Sequence, residues 1–132
     1  MSRPVHDGIE LIPRPEQDPA ALRAALAVVA ADRLPEMLDG QAEAMAEAIE
    51  TASVQPLRSF VAHWSAVVEI ERHPATARAY HRANCLANHA ATLAECREHA
   101  TAVAEFYRAA YAKVRGPRPA GGGGPRAGRA VS

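Results

Sequence analysis

The chain has 132 residues and balances 15 basic against 15 acidic side chains. This length fits one domain, and the balanced charge excludes a whole-molecule field that would draw the protein to nucleic acid or membrane. Alanine supplies 31 of the residues, so the hydrophobic share of 48% predicts an all-α domain with a thin core that needs a partner or a second copy.

Residues 1–17 carry three prolines without a lasting hydrophobic period, which predicts a flexible N-terminal arm. No apolar leader core begins the chain, and no window approaches the roughly 18 apolar residues of a membrane span. Asp18 can cap a first helix and Pro19 suits its first position. Leu22, Leu26 and Val29 then mark one apolar face of that helix.

An acidic helix follows, with Pro35 placed for its start. Gly40 either ends a short turn or weakens one longer helix. From Gln41 onward the apolar positions Met45, Ile49 and Ala52 lie on one side. Between Leu34 and Leu57 there are five acids and no Lys or Arg: Glu36, Asp39, Glu43, Glu47 and Glu50. This acidic stripe is either a solvated helix face or a docking face for a basic partner.

The next segment has the strongest amphipathic pattern in the chain. Its apolar positions fall within roughly a third of the helical circle at ~100° per residue: Leu57, Phe60, Val61, Trp64, Val67 and Val68. We therefore expect this helix to form the centre of the core, with Trp64 as its largest anchor. The His73–Pro74 step disfavours an unbroken continuation. His63 lies on the flank of the apolar face, where it is either exposed, hydrogen-bonded or functional.

From Ala75 to Val114 the chain has no proline and no glycine. This stretch is either one long helix or two helices joined at a weak point near residues 84–88. The expected fold is an all-α bundle of three shorter helices plus a long C-terminal helix, spanning residues 18–115. Residues 116–132 are rich in Gly, Pro and Arg, which predicts a disordered tail that adds solubility or weak affinity for phosphate.

Histidine and cysteine cluster between residues 81 and 100, with Cys85, His89, Cys96 and His99 as candidate metal ligands. A closed zinc site would need the chain to fold back on itself, and the usual CxxC or HxxxH pairs are absent. Cys85 and Cys96 would be ~16 Å apart on one continuous helix, too far for a disulfide. We therefore assign no cofactor, and free thiols favour a reducing cytoplasm.

The same cluster opens a packing stripe on the last helix. Its members recur every three or four residues, the spacing helices use to pair: Leu93, Cys96, Ala100, Val103, Tyr107, Ala110 and Val114. Buried cysteine behaves as a small hydrophobe, so this seam is interpreted as packing, within the chain or between copies. Metal binding and redox sensing stay open as alternatives.

Sequence motifs for catalysis are missing: there is no GxSxG, no phosphate-binding glycine loop before a helix and no HExxH. Carboxylates are plentiful, but nothing in the pattern pairs them across a cleft. The sequence therefore predicts a protein that is not an enzyme.

The segments "AALRAAL" and "PLRSFVAHWSAVVEIERHPATARAY" resemble a family of short all-helical proteins of GC-rich bacteria, over roughly residues 19–83. The matching positions are Leu22, Arg23, Ala24, Leu26, Leu57, Phe60, Trp64 and Pro74. Members of that family have no assigned activity, and some look like antitoxins that neutralise small basic ribonuclease toxins. The resemblance implies a binding role and identifies no catalytic residue.

The leading hypothesis is a non-enzymatic, cytoplasmic interaction module, antitoxin-like, that binds a small basic toxin through the acidic stripe or the long last helix. The alternatives are self-association along the seam from Leu93 to Val114 and, third, a metal or redox sensor at the Cys/His cluster. Nucleic acid is expected to bind only weakly, through the arginines of the tail.

Overall fold

The computed structural model describes residues 9–116, and within that range every regular element is helical. The prediction of an all-α fold is therefore confirmed for this part of the chain. The five α-helices are α1 (Pro19–Val29), α2 (Leu34–Thr51), α3 (Gln55–Glu71), α4 (Pro74–Asn88) and α5 (Leu93–Arg115), with a short 3₁₀ turn, Ala31–Arg33, between the first two. None of these helices is both long and apolar enough to cross a membrane.

The helix starts follow the cap chemistry of the sequence. Asp18 accepts a hydrogen bond from the backbone N–H of Ala21 at 2.8 Å, and Pro19 occupies the first turn of α1. Gly40 does not end a helix, because α2 continues from Leu34 to Thr51 around it. That helix ends at Ala52, which adopts a left-handed backbone conformation with φ 55°.

The stretch from Ala75 to Val114 is two helices, so the single long C-terminal helix is wrong and the alternative with a break is right. The break follows Asn88, slightly later than the weak point that the sequence indicated. Thr92 caps α5 by accepting from the N–H of Glu95 at 3.1 Å, and the Glu95 carboxylate accepts from the N–H of Ala91 at 3.1 Å. These bonds satisfy backbone donors at the helix start, which makes a break without Gly or Pro favourable.

Helix α3 is the centre of the bundle and contacts each of the other four helices. Its Trp64 and Val68 pack with Leu22 and Leu26 of α1 and Met37 of α2. A second, smaller cluster joins the far side of α3 to α5. The predicted central position of this helix and the anchoring role of Trp64 are confirmed.

Helix α2 has three distinct sides. Its buried residues are Met37 and Ala44, which lie between the two sides that the sequence pattern marked. Met45 and Ile49 are 45% and 75% exposed, so the apolar side predicted from the sequence does not enter the core. The physical reason is the bulk of the facing helix, since a Cβ on Gly40 would already lie 3.6 Å from the Phe60 ring. Gly40 and Ala44 therefore take the α2 positions beside Phe60, and Met37 is the one large buried side chain of this helix.

Residues 9–17, part of the predicted flexible arm, run along the helices and make defined contacts. Arg14 donates two hydrogen bonds to the carboxylate of Glu69, at 2.9 and 3.1 Å. The backbone N–H of Leu11 donates to the carbonyl of Arg72 at 2.8 Å, and Gln17 donates to the carbonyl of Val114 at 2.7 Å. Residues 1–8 of that arm and residues 117–132 of the predicted tail lie outside the described residues.

Candidate functional site

All five carboxylates of the acidic stripe are exposed to solvent on α2. They are Glu36, Asp39, Glu43, Glu47 and Glu50. Arg33 pairs with Glu36 through two hydrogen bonds of 3.1 Å. Within residues 9–116 the other four carboxylates have no cation within salt-bridge distance. The stripe is thus a continuous negative surface with one carboxylate neutralised at its N-terminal end.

A groove of about 910 Å³ runs between α2 and α3, and four carboxylates of the stripe line it, Glu50 being the exception. We call it the acidic groove. Gly40, Ala44, Phe60 and Trp64 also line it, so the groove combines acidic groups with aromatic and small apolar ones. Its α3 side carries neutral polar groups: Gln55, Ser59 and His63.

Gly40 sets the depth of the acidic groove. A Cβ at this position would lie 3.6 and 3.8 Å from ring carbons of Phe60 and 3.9 Å from the indole nitrogen of Trp64. The guanidinium of Arg33 lies over the Trp64 ring at 5.1 Å, within the range of a cation–π interaction. This contact shows that the indole face near the groove accepts a cation from within the chain.

His63 connects the acidic groove to the last helix. Its Nδ1 and the hydroxyl oxygen of Tyr107 form a hydrogen bond of 2.8 Å. Burial, together with the nearby Arg33 charge, lowers the pKa of His63 below its ordinary value of 6.5. This shift favours the neutral imidazole, which adds no positive charge to oppose a basic ligand in the groove.

The Cys/His cluster is divided by the helix break. The Cys85 sulfur lies 3.7 Å from Nδ1 of His89, and that nitrogen also forms a hydrogen bond of 2.9 Å with the Cys85 carbonyl. His81 instead pairs with the buried carboxylate of Glu71 at 2.7 Å. In the described range no three His, Cys, Asp or Glu side chains form a group that could hold a metal ion, and both cysteines are free thiols. Cys96 and His99 do not complete a site with the first pair.

The seam on α5 is exposed at its N-terminal end and buried at its C-terminal end. Leu93 is 65% exposed and Ala100 is also exposed, while Cys96, Val103 and Tyr107 are half-buried. Ala110 and Val114 are buried, and Ala110 packs with Ala66 and Ile70 of α3. The C-terminal half of the seam is therefore used for packing inside this chain.

A buried ion-pair network on α3 lies outside the residues that the sequence singled out. Glu69, 3% exposed, accepts from Arg14 and also from Arg72, at 2.9 and 3.3 Å. Burial raises the pKa of Glu69, but the hydrogen bonds from both arginines outweigh it and lower the pKa from 4.5 to about 2. Arg72 in turn pairs with Glu10 at 3.0 Å. This network fastens residues 10–14 to α3.

The sequence marked Met45 and Ile49 as one apolar side of α2 but did not predict that this side is exposed. The signal was present in the spacing of Leu38, Ala42, Met45 and Ile49, which fall within ~60° of one another at ~100° per residue. The pattern itself does not say whether such a side meets the core or water.

Comparison of the chain with protein-family models, curated proteins and solved structures finds no match.

Proposed function

We propose that the protein is a non-enzymatic interaction module that binds a basic protein partner in the acidic groove between α2 and α3. The observation that carries the proposal is the set of exposed carboxylates, Asp39, Glu43 and Glu47, which line the groove with no cation within salt-bridge distance in residues 9–116. An antitoxin-like role, in which the partner is a small basic toxin, agrees with the family resemblance.

The chemistry of the groove favours arginine or lysine side chains over a small cation. The long stem of such a side chain packs on apolar surface while its charged head pairs with carboxylates. Phe60, Ala44 and Gly40 offer the apolar surface, and Glu43 and Glu47, one helical turn apart, offer the charge. The contact of Arg33 with Trp64 is an example of this mode within the chain.

Charge complementarity of this kind acts strongly on the rate of association and on specificity. We therefore expect partner binding to weaken as salt rises, because exposed charges are screened beyond ~8 Å at physiological ionic strength. The proposal places the protein in the cytoplasm, where its two free thiols stay reduced. It assigns no cofactor: Cys85 and His89 lie 3.7 Å apart, but within the described residues neither Cys96 nor His99 joins them in a group that could hold a metal ion.

The test is affinity capture from the native host with the full chain as bait. In the variant Glu43→Lys/Glu47→Lys we expect at least about a tenfold loss of the captured partner, since two opposing charges now face its basic groups. The matched control is Glu98→Lys/Glu105→Lys, which makes the same change of net charge at exposed positions on α5.

The control variant should capture as much partner as the wild-type chain, and circular dichroism should be the same for all three proteins. Equal capture by the two variants would contradict the proposal, as would a partner whose sequence is acidic.

A further inference from the structure

We propose that a second copy of this chain covers the exposed apolar side of α2. The two α2 helices run parallel and are related by a twofold axis parallel to them. The apolar stripe consists of Leu38, Ala42, Met45 and Ile49. It lies on a different side of α2 from Glu43 and Glu47 of the acidic groove, and Asp39 borders both surfaces, so variants at positions 43 and 47 and at positions 45 and 49 separate this pairing from the binding of a basic partner.

Exposure of the apolar stripe is the first argument. Leu38, Met45 and Ile49 are 46%, 45% and 75% exposed on a single helix face. Scattered exposed hydrophobic residues are normal in a monomer, but a contiguous row of large ones marks an interaction surface. The α2 positions beside Phe60 hold Gly40 and Ala44, and Met37 is the one large buried side chain of α2, so three of its large apolar side chains lie outside the core.

A shallow groove beside the apolar stripe gives the second argument. It has a volume of about 520 Å³ and includes Met45, Val54, Leu57 and Val61. Val54 is itself 56% exposed, which extends the apolar surface from α2 onto the start of α3. A helix that lies along the apolar stripe can therefore also cover this groove.

The charges on the two flanks of the apolar stripe identify the occupant and its direction. Arg58 and Arg115 line the groove on one flank, whereas Asp39 and Glu50 lie on the other flank at ~100° per residue. A dyad along α2 turns the arginine flank of one copy toward the acidic flank of the other. An antiparallel pair would place arginine against arginine and acid against acid. The surface is thus complementary to itself in the parallel arrangement.

The seam on α5 is the weaker surface for a second copy. Tyr107, Ala110 and Val114 already pack within the chain, which leaves only the N-terminal half around Leu93 open. Pairing through one helix face buries an area at the small end of protein interfaces, so we expect a dissociation constant on the order of micromolar for the dimer.

Light scattering coupled to size exclusion tests the pairing over a range of micromolar concentrations. We expect twice the mass of one chain for the wild-type protein and the mass of one chain for Met45→Glu/Ile49→Glu. Ala42→Glu adds a charge at the centre of the stripe without removing a large side chain, and it should give the same loss. The matched control, Leu93→Glu, puts the same charge on the α5 seam and should remain a dimer.

A wild-type protein that stays a monomer at every concentration would overturn the proposal. So would a dimer that Leu93→Glu abolishes and Met45→Glu/Ile49→Glu leaves intact. Capture of the basic partner separates this proposal from the proposed function, since Met45→Glu/Ile49→Glu should retain that partner and Glu43→Lys/Glu47→Lys should remain dimeric.

Disulfide crosslinking tests the direction, in a chain where Cys85 and Cys96 are replaced by serine. In a parallel pair, Leu38→Cys and Ile49→Cys each meet their own copy, and each single variant should crosslink on oxidation. In an antiparallel pair centred between them, each would be ~16 Å from its copy, beyond the ~7 Å that a disulfide spans. A crosslink at one position alone, or only between 38 and 49 in the double variant, would overturn the parallel arrangement.

Discussion

Glu69 of α3 and Glu47 of α2 are both glutamates on neighbouring helices. Glu69 is 3% exposed and lies between two arginines, whereas Glu47 faces water. A buried carboxylate is tolerated only when hydrogen bonds and opposite charges compensate for lost hydration. An exposed carboxylate needs no such partner, so its position is free to serve another molecule. The contrast separates the charges that hold this fold together from those that the fold leaves available for binding.

The largest expected effect on stability comes from removing the buried charge of Glu69. Glu69→Gln removes the charge between Arg14 and Arg72, and we expect the free energy of unfolding to fall by about 3 kcal/mol, since the buried guanidinium of Arg72 keeps only the half-exposed Glu10 as an anionic partner. Glu47→Gln is the matched control on α2 and should change stability by less than ~0.5 kcal/mol. Urea denaturation measures both, and similar losses in the two variants would contradict the contrast.

Lowering the pH should weaken the ion pairs of Glu69 and so destabilise the fold. Because the folded state lowers the pKa of Glu69 from 4.5 to about 2, the folded chain binds this proton less readily than the unfolded chain. The stability that the carboxylate contributes is complete above pH 4.5 and is lost as pH falls toward 2, by on the order of 3 kcal/mol. Denaturation of wild-type protein and Glu69→Gln across this pH range should show the steeper loss in the wild type. Parallel curves would rule out this assignment.

Gly40→Ala changes the packing of α2 on α3 beside the acidic groove and leaves every carboxylate in place. The added methyl group would meet Phe60 and Trp64 at 3.6–3.9 Å, ordinary van der Waals distances. Replacing glycine within a helix then favours folding by about 1 kcal/mol, because the unfolded chain has less backbone freedom to lose. Thermal and urea denaturation should show the gain. A loss of stability would mean that the packing of α2 on α3 has no room for a methyl group.

Glu36→Gln has the smallest expected effect. Glu36 is the one member of the acidic stripe paired within the described chain, and its side chain is 59% exposed beside Arg33. Exposed pairs contribute roughly 0–1 kcal/mol, so unfolding should be easier by about 0.5 kcal/mol at most. Denaturation side by side with Glu69→Gln provides the comparison. A loss as large as that of Glu69→Gln would show that exposure does not decide which pairs stabilise this fold.

The sequence was sufficient where the signal was local. Asp18 and Pro19 marked the start of α1, and the apolar face around Trp64 marked the central helix, because caps and helical periodicity depend on neighbours in the chain. The break before α5 also had a local signal, in the hydroxyl of Thr92 followed three residues later by Glu95. It was overlooked because that stretch contains neither glycine nor proline.

Properties set by distant residues could not be predicted in the same way. Glu69 and Arg14 are 55 residues apart, and nothing near either residue indicates their pairing. The side of α2 that is buried depends on the space left by Phe60 and Trp64, so Ala44 enters the core while Ile49 stays in water. The acidic stripe was predicted from composition alone, but the aromatic and apolar groups beside it became known only from the packing of α3.

Carboxyl footprinting by mass spectrometry tests the central claim most directly, with the free chain compared to the chain bound to its captured partner. In the free chain we expect rapid labelling of Glu43 and Glu47 and protection of Glu69. In the complex, labelling of Glu43 and Glu47 should fall by about tenfold, as expected of groups that lose water to a partner, while Glu98 and Glu105 stay unchanged. Unaltered labelling of Glu43 and Glu47 in the complex would contradict a binding role for the acidic groove.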